Sequence, residues 1–298
     1  MRRIGVGLTL QPDELFLDLL DEAIHADVDY VEVAPETLWR HASDAELAPN
    51  GYHARLRALR DEAQLPCVAH GVGLSVGSVD RPDAELRLQR WLARVRADHT
   101  DFGFLWYTDH LGASALDGLE LVLPLPLLMT QSAVQRICAR LARLQAIVPD
   151  VGLENTVAYF LLGSPLDEAR FVREIVTSAP RNHLLLDLHN LHTMAHNFGF
   201  EPEAYLELLP LERVIEIHVS GGTESDPGWL ASGQRMRLDS HDSAVPEPVW
   251  SLLEQVAPRC PHVRGITLER MEGTVDALAT AEVREELARI RDLAGGWR

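Results

Sequence analysis

The sequence predicts a single (β/α)8 barrel that takes in residues 1–298. Stretches with strand character alternate eight times with stretches of helical apolar period, in a chain near the roughly 250 residues typical of such barrels. No linker and no internal repeat interrupts the series. Six of the strand-like stretches end in His, Asp or Glu, and in a barrel the C-terminal ends of the strands meet at one mouth. A doubly wound open sheet is the competing arrangement. It would favour a glycine fingerprint at the first strand-to-helix turn, whereas Gly5 and Gly7 lie inside the first strand.

Residues 4–10 form a short β-type run, and Pro12-Asp13 then starts a helix whose apolar period lasts to residue 26. The next strand covers 30–35 and the next helix 51–64. The strand at 66–72 leads through a glycine-rich loop to a helix at 83–99. The strand at 104–111 is separated by a long proline-bearing loop from the helix at 131–147. Strand 151–156 precedes helix 166–178, and strand 183–191 precedes helix 201–209. Strand 214–221 is followed by an irregular stretch, 222–245, and a helix at 246–256. The last pair is strand 263–270 and helix 281–293.

Apolar residues make up 46% of the chain, ample for one large core. A net charge of −18 argues against nucleic acid or an anionic membrane as partner, since phosphate would be repelled. Bound cations would offset part of that charge. Cys67, Cys138 and Cys260 lack CxxC spacing, so neither a thiolate zinc site nor a disulfide framework is indicated. Met1-Arg2-Arg3-Ile4 runs straight into a strand without the apolar region of a signal peptide. The longest apolar run, 119–129, is too short to span a bilayer and contains Glu120, Pro124 and Pro126. These features predict a soluble, cytoplasmic protein.

The strand ends supply the candidate chemistry. His70 follows Pro66-Cys67-Val68-Ala69, and Asp109-His110 follow a five-residue apolar stretch. Successive strand residues point to opposite faces, so His110 is the expected ligand and Asp109 the residue that orients a neighbour. The same parity favours Glu154 over Asn155. Asp187 leads its strand, with His189 and Asn190 as lesser candidates and His192 and His196 undecided. Glu216 and His218 are two apart and share a face, a two-ligand pair in an apolar strand. Asp239-Ser240-His241 repeats that spacing in a loop, where a surface Asx turn is the alternative. Glu269 ends the last strand, with Arg270 beside it as a possible ion-pair partner. His25, His53, His99 and His262 read as surface residues. Imidazole with carboxylate suits Zn, Mn or Fe. About ten candidates exceed the four a closed structural zinc needs and suffice for two or three metals bridged by a carboxylate.

Six phrases carry a family resemblance: His70-Gly71-Val72-Gly73-Leu74-Ser75-Val76-Gly77, Thr108-Asp109-His110-Leu111, Glu154-Asn155, Asp187-Leu188-His189-Asn190, Glu216-Ile217-His218-Val219-Ser220-Gly221-Gly222 and Asp239-Ser240-His241. In this order, over nearly the whole chain, the sequence resembles the multinuclear non-heme iron-dependent oxidative enzymes, the methanobactin-biosynthesis oxidase-like family-692 domain. The resemblance implies a TIM barrel that binds two or three iron ions, with a mixed Fe(II)/Fe(III) pair and O₂ as co-substrate. It implies a ribosomal precursor peptide as substrate, modified at Cys, Asp or Asn, and a small partner protein that recognises the leader peptide. By motif, His70, His110 and Glu154 would hold one iron. Glu154, Asp187, His218 and Glu269 would surround the second, and Asn190, Glu216, Asp239 and His241 would serve the third. Glu154, Asp187 and His218 would form the catalytic heart. Two departures stand out: Thr9-Leu10-Gln11-Pro12 occupies a region where the family often has a histidine, and His189-Asn190 replaces the usual Asn-Asn.

Two other readings compete. A sugar isomerase or phosphodiester hydrolase could use two or three Zn or Mn ions on a similar barrel. The acidic balance opposes a nuclease, and the absence of lysine removes an isomerase's usual proton shuttle, since arginine stays charged at neutral pH. The third reading is a barrel that only binds metal or peptide.

Overall fold

The computed structural model describes residues 4–43, 46–116 and 119–297. Eight parallel strands close into a barrel in which the first pairs with the last. In chain order they are β1 Gly5–Leu10, β2 Tyr30–Val33, β3 Cys67–Gly71, β4 Tyr107–His110, β5 Val151–Glu154, β6 Asn182–Asp187, β7 Val214–Val219 and β8 Gly265–Leu268. Each is buried along almost its whole length, which is why these stretches read as continuous apolar runs rather than alternating ones. Helices between the strands pack outside and form the main core against the strands' outer faces. The expected (β/α)8 barrel is therefore present. Among the described residues, no helix is long and apolar enough to cross a membrane.

Inside the barrel the lower layer is aromatic. Tyr30, Val68, Trp106 and Ile215 pack together, with Tyr30 edge-on to Trp106 at 5.6 Å. The glycines inside β1 make this possible. A Cβ on Gly7, or on Gly265 of the neighbouring β8, would overlap the Tyr30 ring. Their role is packing, which disposes of the nucleotide-loop alternative.

Register sets what meets at the mouth. His110 lies opposite Glu154, and Asp187 lies opposite His218. His218 in turn lies opposite Thr267, while Glu216 lies one layer lower, opposite Gly265.

Three sequence expectations change. The strand read at 183–191 stops at Asp187, and a helix, Leu188–Phe198, begins at once. Asp187 is its N-cap: Oδ1 accepts the Asn190 amide at 2.6 Å, the cap arrangement typically worth about 1 kcal/mol. The leucines on both sides of the junction, Leu184, Leu185 and Leu186 before it and Leu188 and Leu191 after it, hid the cap. The helix expected at 201–209 shrinks to Pro202–Leu206. Two antiparallel hairpins are added: Trp39–Ser43 with Glu46–Pro49, where no element was assigned, and Ala113–Leu116 with Leu119–Leu125, inside the long proline-bearing loop.

Candidate metal centre

The first group of ligand-type atoms sits where β3, β4 and β5 end. His70 Nδ1 lies 3.0 Å from Thr108 Oγ1, and that hydroxyl donates to the Ala69 carbonyl at 3.4 Å. Thr108 therefore accepts from His70 Nδ1–H. His110 Nδ1 donates in the same way to the Gly71 carbonyl at 3.1 Å. Both neutral rings are thereby fixed with their lone pairs on Nε2, and both Nε2 atoms face Glu154 Oε2, at 3.3 and 3.0 Å. Lone pair facing carboxylate is repulsive unless a proton or a cation lies between them.

The second group is centred on His218, fully buried on β7. Its Nδ1 lies 3.1 Å from Glu269 Oε2 and 4.0 Å from Asp187 Oδ2. Its Nε2 lies 3.1 Å from Glu32 Oε2, and Glu32 Oε1 accepts from Thr9 at 2.7 Å. Asn155, just past the end of β5, clasps the Asp187 backbone, donating to its carbonyl at 2.8 Å and accepting its amide at 2.9 Å. The carboxylate is thus aimed by a double backbone clamp and by its own cap bond.

The third group joins His189, Asp239 and His241. Asp239 Oδ1 lies 3.3 Å from His189 Nδ1 and 2.7 Å from His241 Nε2. His241 Nε2 also lies 3.7 Å from Glu269 Oε2, so Glu269 links this group to the second. His241 has a left-handed backbone, φ 51°, which costs a non-glycine residue about 1–2 kcal/mol and is retained where the surroundings require it.

The donor set fits metal ions. Glu154 Oε2, Asp187 Oδ2, His218 Nδ1, Glu269 Oε2 and His189 Nε2 are all buried and all lack a hydrogen bond. A buried unpaired polar atom costs roughly 1–3 kcal/mol, more when charged, so the four that converge, those of Glu154, Asp187, His218 and Glu269, need a shared partner, while His189 Nε2 turns away toward Gly222. Without cations, protons take that role. Burial disfavours a charged His70, yet Glu154 and Glu32 prevail and lift it to about 9. Burial likewise opposes charge on His241, but Asp239 and Glu269 raise it to about 10. Burial pushes the Asp187 carboxyl well above its usual range, with Glu154, Glu269 and Asp239 adding to the push. Burial works the same way on Glu269, but His218 and His241 overcome it and hold that carboxyl low.

Not every expected ligand stands among these groups. Glu216, expected as a ligand paired with His218, comes only within 3.8 Å of it, between Oε1 and Nε2. Its Oε1 accepts from Tyr30 at 3.0 Å and Thr267 at 2.6 Å, and its Oε2 accepts from Trp106 at 2.6 Å. It belongs to the aromatic layer below the mouth, since two residues along a strand is also one full layer down the barrel. Asn190 stands with Glu154 rather than with the third group: Nδ2 donates to Glu154 Oε1 at 3.0 Å, leaving Oδ1 buried without a hydrogen bond. His189, only a lesser candidate in the sequence, stands in the third group where Asn190 was expected, because a helix, unlike a strand, turns neighbouring residues to different sides. Asp109 faces outward, as parity requires, and accepts from the Tyr107 hydroxyl at 3.5 Å. Arg270 leaves Glu269 and pairs with Glu282 and Glu286, each at 2.9 Å. His53, expected at the surface, is buried against Asp98 at 3.0 Å. Sequence reasoning missed Glu32 and Thr108. The lone carboxylate inside Tyr30-Val31-Glu32-Val33, in register with Thr9, was a usable signal.

Fold and site define a (β/α)8 barrel enzyme with clustered candidate metal ligands at its mouth. Residues 4–295 match the family of RiPP precursor modification enzymes MbnB/TglH/ChrH, and the chain belongs to that family. It is 32% identical over 296 residues to a UPF0276 protein of Rhizorhabdus wittichii, covering 99% of this chain and 96% of the relative. It is 30% identical over 296 residues to one of Acinetobacter baylyi, covering 97% and 90%. Among solved structures, a D-psicose 3-epimerase superposes with a TM-score of 0.58 at 14% identity, covering 98% of this chain and all of the other. A xylose isomerase domain protein from Planctomyces limnophilus gives 0.55 at 16%, covering 100% and 97%. At such identity these two share the fold alone.

Proposed function

We propose that the chain is an iron- and O₂-dependent oxidase that modifies a ribosomal precursor peptide at a Cys, Asp or Asn side chain or the adjacent backbone. The convergence of four buried ligand atoms without a hydrogen bond, on Glu154, Asp187, His218 and Glu269, supports this reading most strongly. His70, His110 and Glu154 would hold one iron, and Glu154, Asp187, His218 and Glu269 a second. His189, Asp239 and His241, with Glu269, would hold a third. Bound iron would supply redox chemistry with O₂ as oxidant and an anchor for the substrate side chain.

The protein's own part is to aim and to exclude. Thr108 and the Gly71 carbonyl fix which nitrogens of His70 and His110 face inward. Glu32 does the same for His218, leaving Nδ1 toward Asp187 and Glu269. Partners of this kind typically change metal affinity by roughly 10–100-fold when removed. The buried layer of Tyr30, Val68, Trp106 and Ile215 fills the barrel below the ligand groups, so the mouth is the side from which substrate would approach. A small leader-recognising partner protein would present the peptide there.

The test is co-expression with a short Cys- or Asp-containing peptide encoded beside the gene, followed by mass spectrometry. An oxidative mass change that needs O₂ supports the proposal. An unmodified peptide with iron-loaded protein, partner and O₂ all present would refute it.

A further inference from the structure

The connections after β3, β4 and β5, the strands that carry His70, His110 and Glu154, enclose a cavity of about 550 Å³. Ser75, Ala113 and Leu162 represent the three connections in its wall. A tighter space bounded by Leu111, Thr156 and Met194 shares Pro126, Leu127 and Leu162 with it. Leu111 directly follows His110, and Thr156 lies two residues beyond Glu154. The two spaces therefore lie side by side along the barrel rim, beside the strands that carry the first ligand group, and together make one elongated surface track.

The far end of that track reverses the charge of the molecule. On a chain with a net charge of −18, five arginines line it (Arg81, Arg87, Arg90, Arg136 and Arg140) against two carboxylates, Asp83 and Glu120. Arg87 is engaged by Glu120, at 2.7 Å from both Nε and Nη2, and lies over the Trp91 ring. Arg140 is buried and holds the wall together through the Val76 carbonyl at 2.7 Å and Asp80 at 3.0 Å. Among the described residues, Arg136 hydrogen-bonds the Gly77 carbonyl, at 3.4 Å, and its Nε is buried without a hydrogen bond. The rim is apolar and exposed: Val79, Leu128 and Leu162 stand open to solvent.

We propose that this track seats the peptide substrate, with peptide carboxylates on the arginines and apolar side chains along Val79, Leu128 and Leu162. The inference rests on the peptide-modifying reading above and deepens it by naming the surface and the acidic character of the segment it takes. An elongated ligand suits two adjacent spaces, and forked guanidinium groups suit carboxylates. The carboxylates belong either to Asp and Glu side chains or to the peptide's C-terminus.

Fluorescence anisotropy with a labelled dodecapeptide of alternating glutamate and leucine tests this on the full-length, metal-loaded protein. The comparison peptides are the glutamine–leucine isostere and the C-terminal amide of each. The glutamate peptide is expected to bind at least about tenfold more tightly than the isostere, with an advantage that shrinks as salt rises. Arg136→Gln and Arg81→Gln, singly and together, are expected to erase that advantage without lowering the melting temperature. An effect of the amide alone assigns the site to a C-terminal carboxylate. Equal binding of glutamate and glutamine peptides, or an undiminished preference in both well-folded variants, overturns the proposal. Metal content and turnover are read on the same preparations. Iron-free protein that prefers the acidic peptide refutes the oxidase reading and leaves the track standing. Iron-loaded, active protein without the preference refutes the track alone.

Discussion

Glu32 Oε2 and His218 Nε2 lie 3.1 Å apart, with both side chains fully buried on strands that are not neighbours in the barrel. The contact decides which face of the imidazole looks at Asp187 and Glu269. Glu32→Gln preserves the shape and removes the charge. It is expected to weaken metal retention by roughly 10–100-fold. Dialysis against graded chelator, followed by metal analysis, measures this; unchanged retention would remove Glu32 from the site.

Glu154 meets both His70 and His110 through one oxygen and Asn190 through the other. Glu154→Ala should therefore cost at least one metal equivalent and abolish turnover, while peptide binding survives. Metal analysis beside the anisotropy assay separates the two effects. Loss of peptide binding in folded protein would place Glu154 in recognition instead.

Glu216 gives the opposite expectation. Because Tyr30, Thr267 and Trp106 satisfy its oxygens, Glu216→Gln should keep the full metal content. An amide in that position faces donors with a donor, which is expected to cost about 1–3 kcal/mol of stability. Denaturant melts and metal analysis of the same variant check both halves; a lost metal with unchanged stability would restore Glu216 as a ligand.

The metal-free protein should weaken in alkali. His70 near 9 and His241 near 10 both lie above the roughly 6.5 of a free imidazole. A group raised on folding stabilises the fold below its unfolded value, and that contribution disappears as pH climbs through its folded value. The window of loss thus runs from about 6.5 to about 10, and Asp187, also raised, acts in the same direction. Metal requires the imidazoles neutral, so its binding strengthens over the same window. Thermal melts of chelated and loaded protein should diverge as pH rises, whereas a constant gap would contradict this.

The fold was legible because eight buried parallel strands leave continuous apolar runs that composition cannot disguise. The mouth was legible through strand parity, which separated His110 from Asp109 and Glu154 from Asn155. Parity failed where its premise failed. Beyond Asp187 the chain is helical, so His189 and Asn190 obey a different geometry. It was also silent about depth: Glu216 and His218 share a face but not a layer, and only the register against Gly265 and Thr267 shows it. Glu32 escaped because its stretch ends in no ligand and the carboxylate sits in mid-strand.

The most direct test of the account is the metal content of protein purified from iron-supplemented cells. The ligand groups predict about two to three irons per chain, with at least one lost on Glu154→Ala. One zinc per chain and no iron, or iron content indifferent to that substitution, would contradict it.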